Sequence, residues 1–146
     1  PADYNKNFGS LGIKLPMNAN RFYNKSDVFN LSYTTEEQAV SNYINLLLTK
    51  KGERYMQPNL GVGLYYYIFE ANTIDVRRQL EEEINTQAEL WLPYIFNDEI
   101  SVVEYTGDNS GHGINIIIKF RVSESGANKT ISFFPGINGN IDVEIK

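Results

Sequence analysis

The feature that most constrains the fold is a change of hydrophobic period at Pro93. Downstream, Ile114, Ile116, Ile118, Phe120 and Val122 alternate with Asn115, Ile117, Lys119 and Arg121. A period of two predicts a strand with one buried face. Upstream, Val40, Tyr43, Ile44, Leu47 and Leu48 recur at helical spacing, and Val76, Leu80, Ile84, Ala88, Trp91 and Leu92 make a second stripe. Each stripe predicts an amphipathic helix. Helices first and antiparallel strands after predict an α+β domain with a small meander sheet.

Local signals place the ends of these elements. Thr34 with Glu37, or Thr35 with Gln38, fits a capping box at the first helix start. Lys50 and Lys51 suit the negative end of that helix, and Gly52 suits its C-terminal cap. The helix then delivers Glu53 and Arg54 just past its end. Pro58 excludes a helix through the next loop, which Gly61 and Gly63 punctuate. Leu64 to Phe69 reads as a short buried helix. Asn72 with Asp75 fits the second long helix start, and Pro93 its end. Glu99 to Tyr105 reads as a strand, Gly107 to Gly113 as a turn-forming loop and Ser123 to Lys129 as another turn. Thr130 to Phe134 is a further strand. Pro135-Gly136 and Asn138-Gly139 are turn dipeptides. Ile141, Val143 and Ile145 then alternate with Asp142, Glu144 and Lys146. Residues 1–33 have no sustained period but carry apolar side chains from Phe8 to Leu31, which predicts an extended N-terminal arm. The expected organisation is that arm over 1–33 and a single domain over 34–146.

The chemistry-bearing residues are few. Among 146 residues there is no Cys and one His, and the formal net charge is −5. Cys-His catalysis and disulfides are therefore excluded, and zinc sites are not expected. Spread acidic charge argues against nucleic acid as a partner. No apolar run approaches the roughly 20 residues of a membrane helix. His112, between two glycines, reads as an exposed turn residue. Asp108 to Gly111 lacks the closing Glu of a calcium loop, because Lys119 stands at that position. Glu81, Glu82 and Glu83 read as a solvated helix face rather than a metal site. No cofactor is expected. Glu53 and Glu70 flank the glycine loop, and a glycosidase needs two such carboxylates. Arg54, Lys50 and Lys51 beside Glu53 favour a charge pair closing the loop instead. An Arg54–Glu70 pair would clamp it in a bidentate way. The strand Ile141 to Lys146 suits a sheet edge, which either accepts a strand from another chain or stays a protected edge.

The blocks Leu47-Leu48-Thr49-Lys50-Lys51-Gly52-Glu53-Arg54, Pro58-Asn59-Leu60-Gly61-Val62-Gly63-Leu64 and Ile68-Phe69-Glu70 resemble the signature of the small baseplate wedge proteins of contractile-tailed phages. That sheath-initiator subunit is shared with type VI secretion baseplates. The order of elements agrees over about residues 20–146. Leu60 departs from the pattern, since the family usually has an aromatic before the glycine. The resemblance implies a non-enzymatic virion protein of the tail baseplate, assembled in the host cytoplasm. It implies docking on the core helical bundle of the wedge through Arg54, Pro58 and Glu70, with Glu53 beside them and Gly52, Gly61 and Gly63 shaping the loop. It implies that the edge strand Ile141, Asp142, Val143, Glu144 and Ile145 templates tail sheath subunits by strand addition. Hub or tube proteins are the expected contacts of the N-terminal arm. Two rival expectations stand beside it. One is a muramidase using Glu53 and Glu70, because some relatives were once labelled lysozymes. The other is a regulatory binder of host protein machinery, because the fold also occurs in a bacterial anti-adaptor.

Overall fold

The computed structural model describes residues 12–13, 15, 31–32, 34–69, 73–107, 110–136 and 139–146. The chain divides into two compact units, Pro1–Asn45 and Leu46–Lys146. Among the described residues there are three helices and a four-stranded antiparallel sheet, the α+β class that the change of period predicts.

Most of the expected N-terminal arm lies outside the described residues. Within the first unit, β1 (Gly12–Ile13) pairs antiparallel with β2 (Leu31–Ser32). Helix α1 (Thr35–Leu48) starts beside them and crosses into the second unit. Thr34 caps it: its hydroxyl accepts the Glu37 N–H at 3.2 Å, the first of the two capping registers. The Ser41 hydroxyl donates to the Glu37 carbonyl at 3.0 Å and accepts the Leu15 N–H at 3.2 Å, tying residue 15 to α1. Helix α1 ends at Leu48, so Gly52 is not its cap. Gly52 instead sits in a separate turn, with φ +83° and its N–H donating to the Pro58 carbonyl at 2.8 Å.

In the second unit, α2 (Leu64–Ile68) is the expected short helix and buries Leu64 and Ile68. Helix α3 (Ile74–Trp91) is capped by Thr73, whose hydroxyl accepts the Val76 N–H at 3.3 Å. The cap is therefore one residue later than the expected Asn72, which lies outside the described residues. Leu80, Ile84 and Ala88 of the stripe are buried, and Gln87 is buried with them. Pro93 follows the helix end as expected.

The sheet runs in the order β3 (Ile95–Gly107), β4 (Ser110–Val122), β5 (Asn128–Pro135), β6 (Ile141–Ile145), a meander with β3 and β6 at its two edges among the described residues. Strand β3 starts four residues earlier than its alternation implies, because Ile95, Phe96 and Asn97 pair with Val122, Arg121 and Phe120 before a bulge at Asp98. Both β3 and β4 also extend into the expected glycine loop. Tyr105 pairs with Gly113 and Gly107 with Ser110, so His112 lies on a strand rather than in a turn. Ladder hydrogen bonds outweigh the turn preference of glycine there.

Pairing sorts the side chains into two faces. Ile114, Ile116, Ile118 and Phe120 of β4 share one face with Ile131 and Phe133 of β5, and all six are fully buried. Helix α2 packs against β4 and β5, and α3 against β3, covering this face. The other face carries Glu99, Lys119, Arg121, Ser132, Asp142 and Glu144. One buried and one polar face is the usual arrangement of an antiparallel meander.

Candidate docking loop and sheet edge

Two features remain once the core is assigned: the loop from Thr49 to Gly63, and the outer edge of β6. The loop is closed by main-chain bonds. The Gly63 N–H donates to the Thr49 carbonyl at 2.9 Å, and the Val62 N–H to the Leu46 carbonyl at 3.2 Å. Inside that neck, the Glu53 N–H donates to the Lys50 carbonyl and the Gln57 N–H to the Arg54 carbonyl, making two tight turns. Gly61 holds φ +118°, and a Cβ there would overlap the Thr49 carbonyl oxygen. Gly63 holds φ +68° at the start of α2. Gly61 is therefore required by both space and conformation, and Gly63 is favoured by its left-handed backbone. The buried Gly61 N–H donates to Gln87 Oε1 at 3.1 Å, which pins the loop to α3. Hydropathy patterning misses Gln87, since a polar residue beside an apolar stripe normally faces water.

The expected site residues fall as follows. Glu53 is exposed, and its Oε2 accepts the Lys50 backbone N–H at 3.0 Å. This carboxylate braces the turn through the main chain rather than through a cation. Arg54 and Pro58 are exposed at the loop surface. Glu70 lies outside the described residues, and the expected Arg54–Glu70 pair with it. Neither loop lysine pairs with Glu53. Lys51 reaches Glu83 on α3. Lys50 Nζ lies 5.0 Å and 5.1 Å from the ring centroids of Tyr65 and Tyr66, a cation–π arrangement. Tyr65 also packs edge-on to Tyr66 and against Phe69. Tyr55, Met56, Tyr65, Tyr66 and Phe69 are all exposed. Leu64 to Phe69 reads as a short buried helix, but α2 buries Leu64 and Ile68 and leaves Tyr65, Tyr66 and the adjoining Phe69 exposed.

The second feature is geometric. The Thr130 and Lys146 main chains exchange both hydrogen bonds, at 2.9 Å and 2.8 Å. Antiparallel pairs alternate between hydrogen-bonded and non-hydrogen-bonded positions. Asp142, Glu144 and Lys146 therefore direct their backbone groups toward β5. Ile141, Val143 and Ile145 direct theirs away from the sheet. The side chains of those three share the core face with Ile131, Phe133 and Pro135, their cross-strand partners.

Charge on the polar face is paired near β3. Lys119 Nζ lies 2.6 Å from Glu99 Oε2, and this hydrogen bond, with a second from Ser101, holds the Glu99 carboxyl below its ordinary pKa. Arg121 donates to both Asp98 oxygens at 2.8–3.1 Å and to the Glu124 carbonyl at 2.8 Å. The Asp98 bonds raise its pKa further. A cavity between α3 and the start of β3 is lined by Asn85, Ala88, Glu89, Pro93, Ile95, Phe96, Asn97 and Arg121. Glu53 is not among its walls, and Glu89 is its one carboxylate.

The model of the family Baseplate wedge protein gp25 matches residues 34–127. Solved structures that share the fold include the following two. A Geobacter sulfurreducens protein assigned as a tail lysozyme aligns with a TM-score of 0.51 at 19% identity, over 77% of this chain and 90% of its own. A chain of the cryo-EM structure of the anti-feeding prophage baseplate aligns with a TM-score of 0.58 at 17% identity, over 77% of this chain and 84% of its own. No curated protein matches the sequence.

Proposed function

Because the chain belongs to the baseplate wedge protein gp25 family, we propose that it is a structural subunit of a contractile-tail baseplate that docks on the wedge core by its glycine loop and starts sheath assembly by strand addition at β6. The observation that carries this reading is the outer edge of β6, where Ile141, Val143 and Ile145 present backbone donors and acceptors with no strand beyond them among the described residues. Strand addition uses such an edge for affinity and alternate side chains for specificity.

Docking is supported by the loop. It is rigidly closed at Thr49 and Gly63, pinned by Gln87, and exposes Arg54, Pro58, Tyr55 and Met56 beside the Tyr65–Tyr66–Phe69 cluster. Exposed aromatic surface beside a fixed loop is the composition of an interface. Other wedge proteins and the tail sheath are the partners in this reading, and the assembled tail is its location.

A catalytic role is not favoured. The neighbour assigned as a tail lysozyme shares only the fold at 19% identity, and fold does not carry activity. A glycosidase acid needs a sheltered carboxyl near a second one, whereas Glu53 is exposed and engaged with the Lys50 N–H.

Tail assembly tests the proposal. Val143→Pro removes one outward donor of the edge without touching the β5 ladder. It should give baseplates that recruit little or no sheath, and normal sheathed tails would refute the edge role. Arg54→Ala should lower incorporation of the subunit into wedges, and full incorporation would remove the docking role.

A further inference from the structure

We infer that the β6 edge selects an extended segment of another protein in which Lys or Arg alternates with apolar residues. This rests on the strand-addition reading and adds the chemistry of the partner. The outward backbone groups belong to Ile141, Val143 and Ile145, so a strand added in antiparallel sense makes its hydrogen-bonded pairs there. Incoming side chains at those positions lie on the core face, next to Ile141, Val143 and the half-exposed Ile145. They are therefore apolar.

The alternate incoming residues lie opposite Asp142 and Glu144. These become non-hydrogen-bonded positions, where opposing side chains approach most closely. Both acids are exposed. The cations of the neighbouring polar face are committed elsewhere, Lys119 to Glu99 and Arg121 to Asp98. Lys146, directly after β6, is the basic neighbour, 3.7 Å from Glu144 at an exposed position. The edge thus carries an acidic excess. Opposite charges across a strand pair are favourable and like charges are not.

The same geometry disfavours a second copy of this chain as the occupant. Antiparallel self-pairing of β6 centred on Val143 sets Asp142 against Glu144 twice.

Labelled ten-residue peptides provide the test, with fluorescence anisotropy as the readout. A Val–Lys alternating peptide should bind the full chain at least about tenfold more tightly than a Val–Glu peptide, from two charge pairs changed from attractive to repulsive. The variant D142K/E144K should reverse the order, and Val143→Pro should abolish binding of both. Equal affinities, an unchanged order in D142K/E144K, or no binding of either peptide overturns the charge selection. Equal affinities that Val143→Pro still abolishes remove the selection and leave strand addition standing. A Lys preference that survives Val143→Pro overturns both, because the acids then act outside any strand pairing. Concentration-dependent dimerisation lost in Val143→Pro would make a second copy the occupant and overturn the inference.

Discussion

Gln87 Oε1 accepts the N–H of Gly61 at 3.1 Å, and Gln87 is only 4% exposed. One buried side chain on α3 thus fixes the backbone of a loop 26 residues away in sequence. Gln87→Leu keeps the packing volume and removes the acceptor. A buried N–H left without a partner costs about 1–3 kcal/mol. Urea denaturation should show a loss in that range, while Gln87→Glu, which retains an acceptor, should keep the loop closed at neutral pH by hydrogen exchange at Gly61. A change below about 0.5 kcal/mol in the Leu variant would mean that water replaces the bond.

The sheet was legible because Ile114, Ile116, Ile118 and Phe120 must share a face, and all four are buried. The helices were legible for the same reason at Leu80, Ile84 and Ala88. Boundaries were less so. Asn72 and Thr73 are adjacent capping residues, and local preference favours Asn, yet the helix is capped by Thr73. Gly107 to Gly113 carries strong turn chemistry, yet ladder pairing with the opposite strand draws most of it into β3 and β4. Those bonds are tertiary and leave no local mark. The β6 edge follows from its order in a meander, so it was readable. The partners of Lys50 and Lys51 were not, because they lie on α2 and α3, elements whose approach to the loop depends on the whole fold.

The ladder on β6 makes Val143 and Asp142 respond differently to proline. The Val143 N–H points away from β5, while that of Asp142 belongs to the hydrogen-bonded pair with Phe134. Proline is tolerated where the missing donor faces outward from an edge. Val143→Pro should therefore cost less stability than Asp142→Pro, which removes a ladder bond worth about 1 kcal/mol and adds strain. Thermal melts of the two variants decide it. The reverse order would mean that the register of β6 is displaced by one residue.

Glu99 and Lys119 give a pH dependence of known sign. The Lys119 hydrogen bond lowers the folded pKa of Glu99 below its unfolded value. The stabilisation is therefore present above the unfolded carboxylate pKa and is lost as pH falls through the folded one. Both groups are exposed, so the effect is small and screened by salt. Wild type minus Lys119→Met should show a stability difference at pH 7 that shrinks below pH about 4 and in high salt. A difference that grows on acidification would contradict the pairing.

Gly52 and Gly61 separate two costs that a positive φ usually combines. Gly52 holds φ +83° with nothing near the position of a Cβ, whereas Gly61 holds φ +118° with the Thr49 carbonyl oxygen in the way. Alanine at 52 meets only the intrinsic penalty of the left-handed region, about 1–2 kcal/mol. Alanine at 61 adds an overlap with backbone that also accepts the Gly63 N–H. The neck can relieve that overlap only by giving up this bond or the one to Gln87. Gly61→Ala should therefore exceed Gly52→Ala by at least about 1 kcal/mol, the scale of one lost hydrogen bond. It should also raise exchange at the Gly61 and Gly63 amides, which Gly52→Ala should leave protected. Equal losses with unchanged exchange would show that the neck yields without breaking either bond, and the docking loop would then be held less firmly than its closure implies.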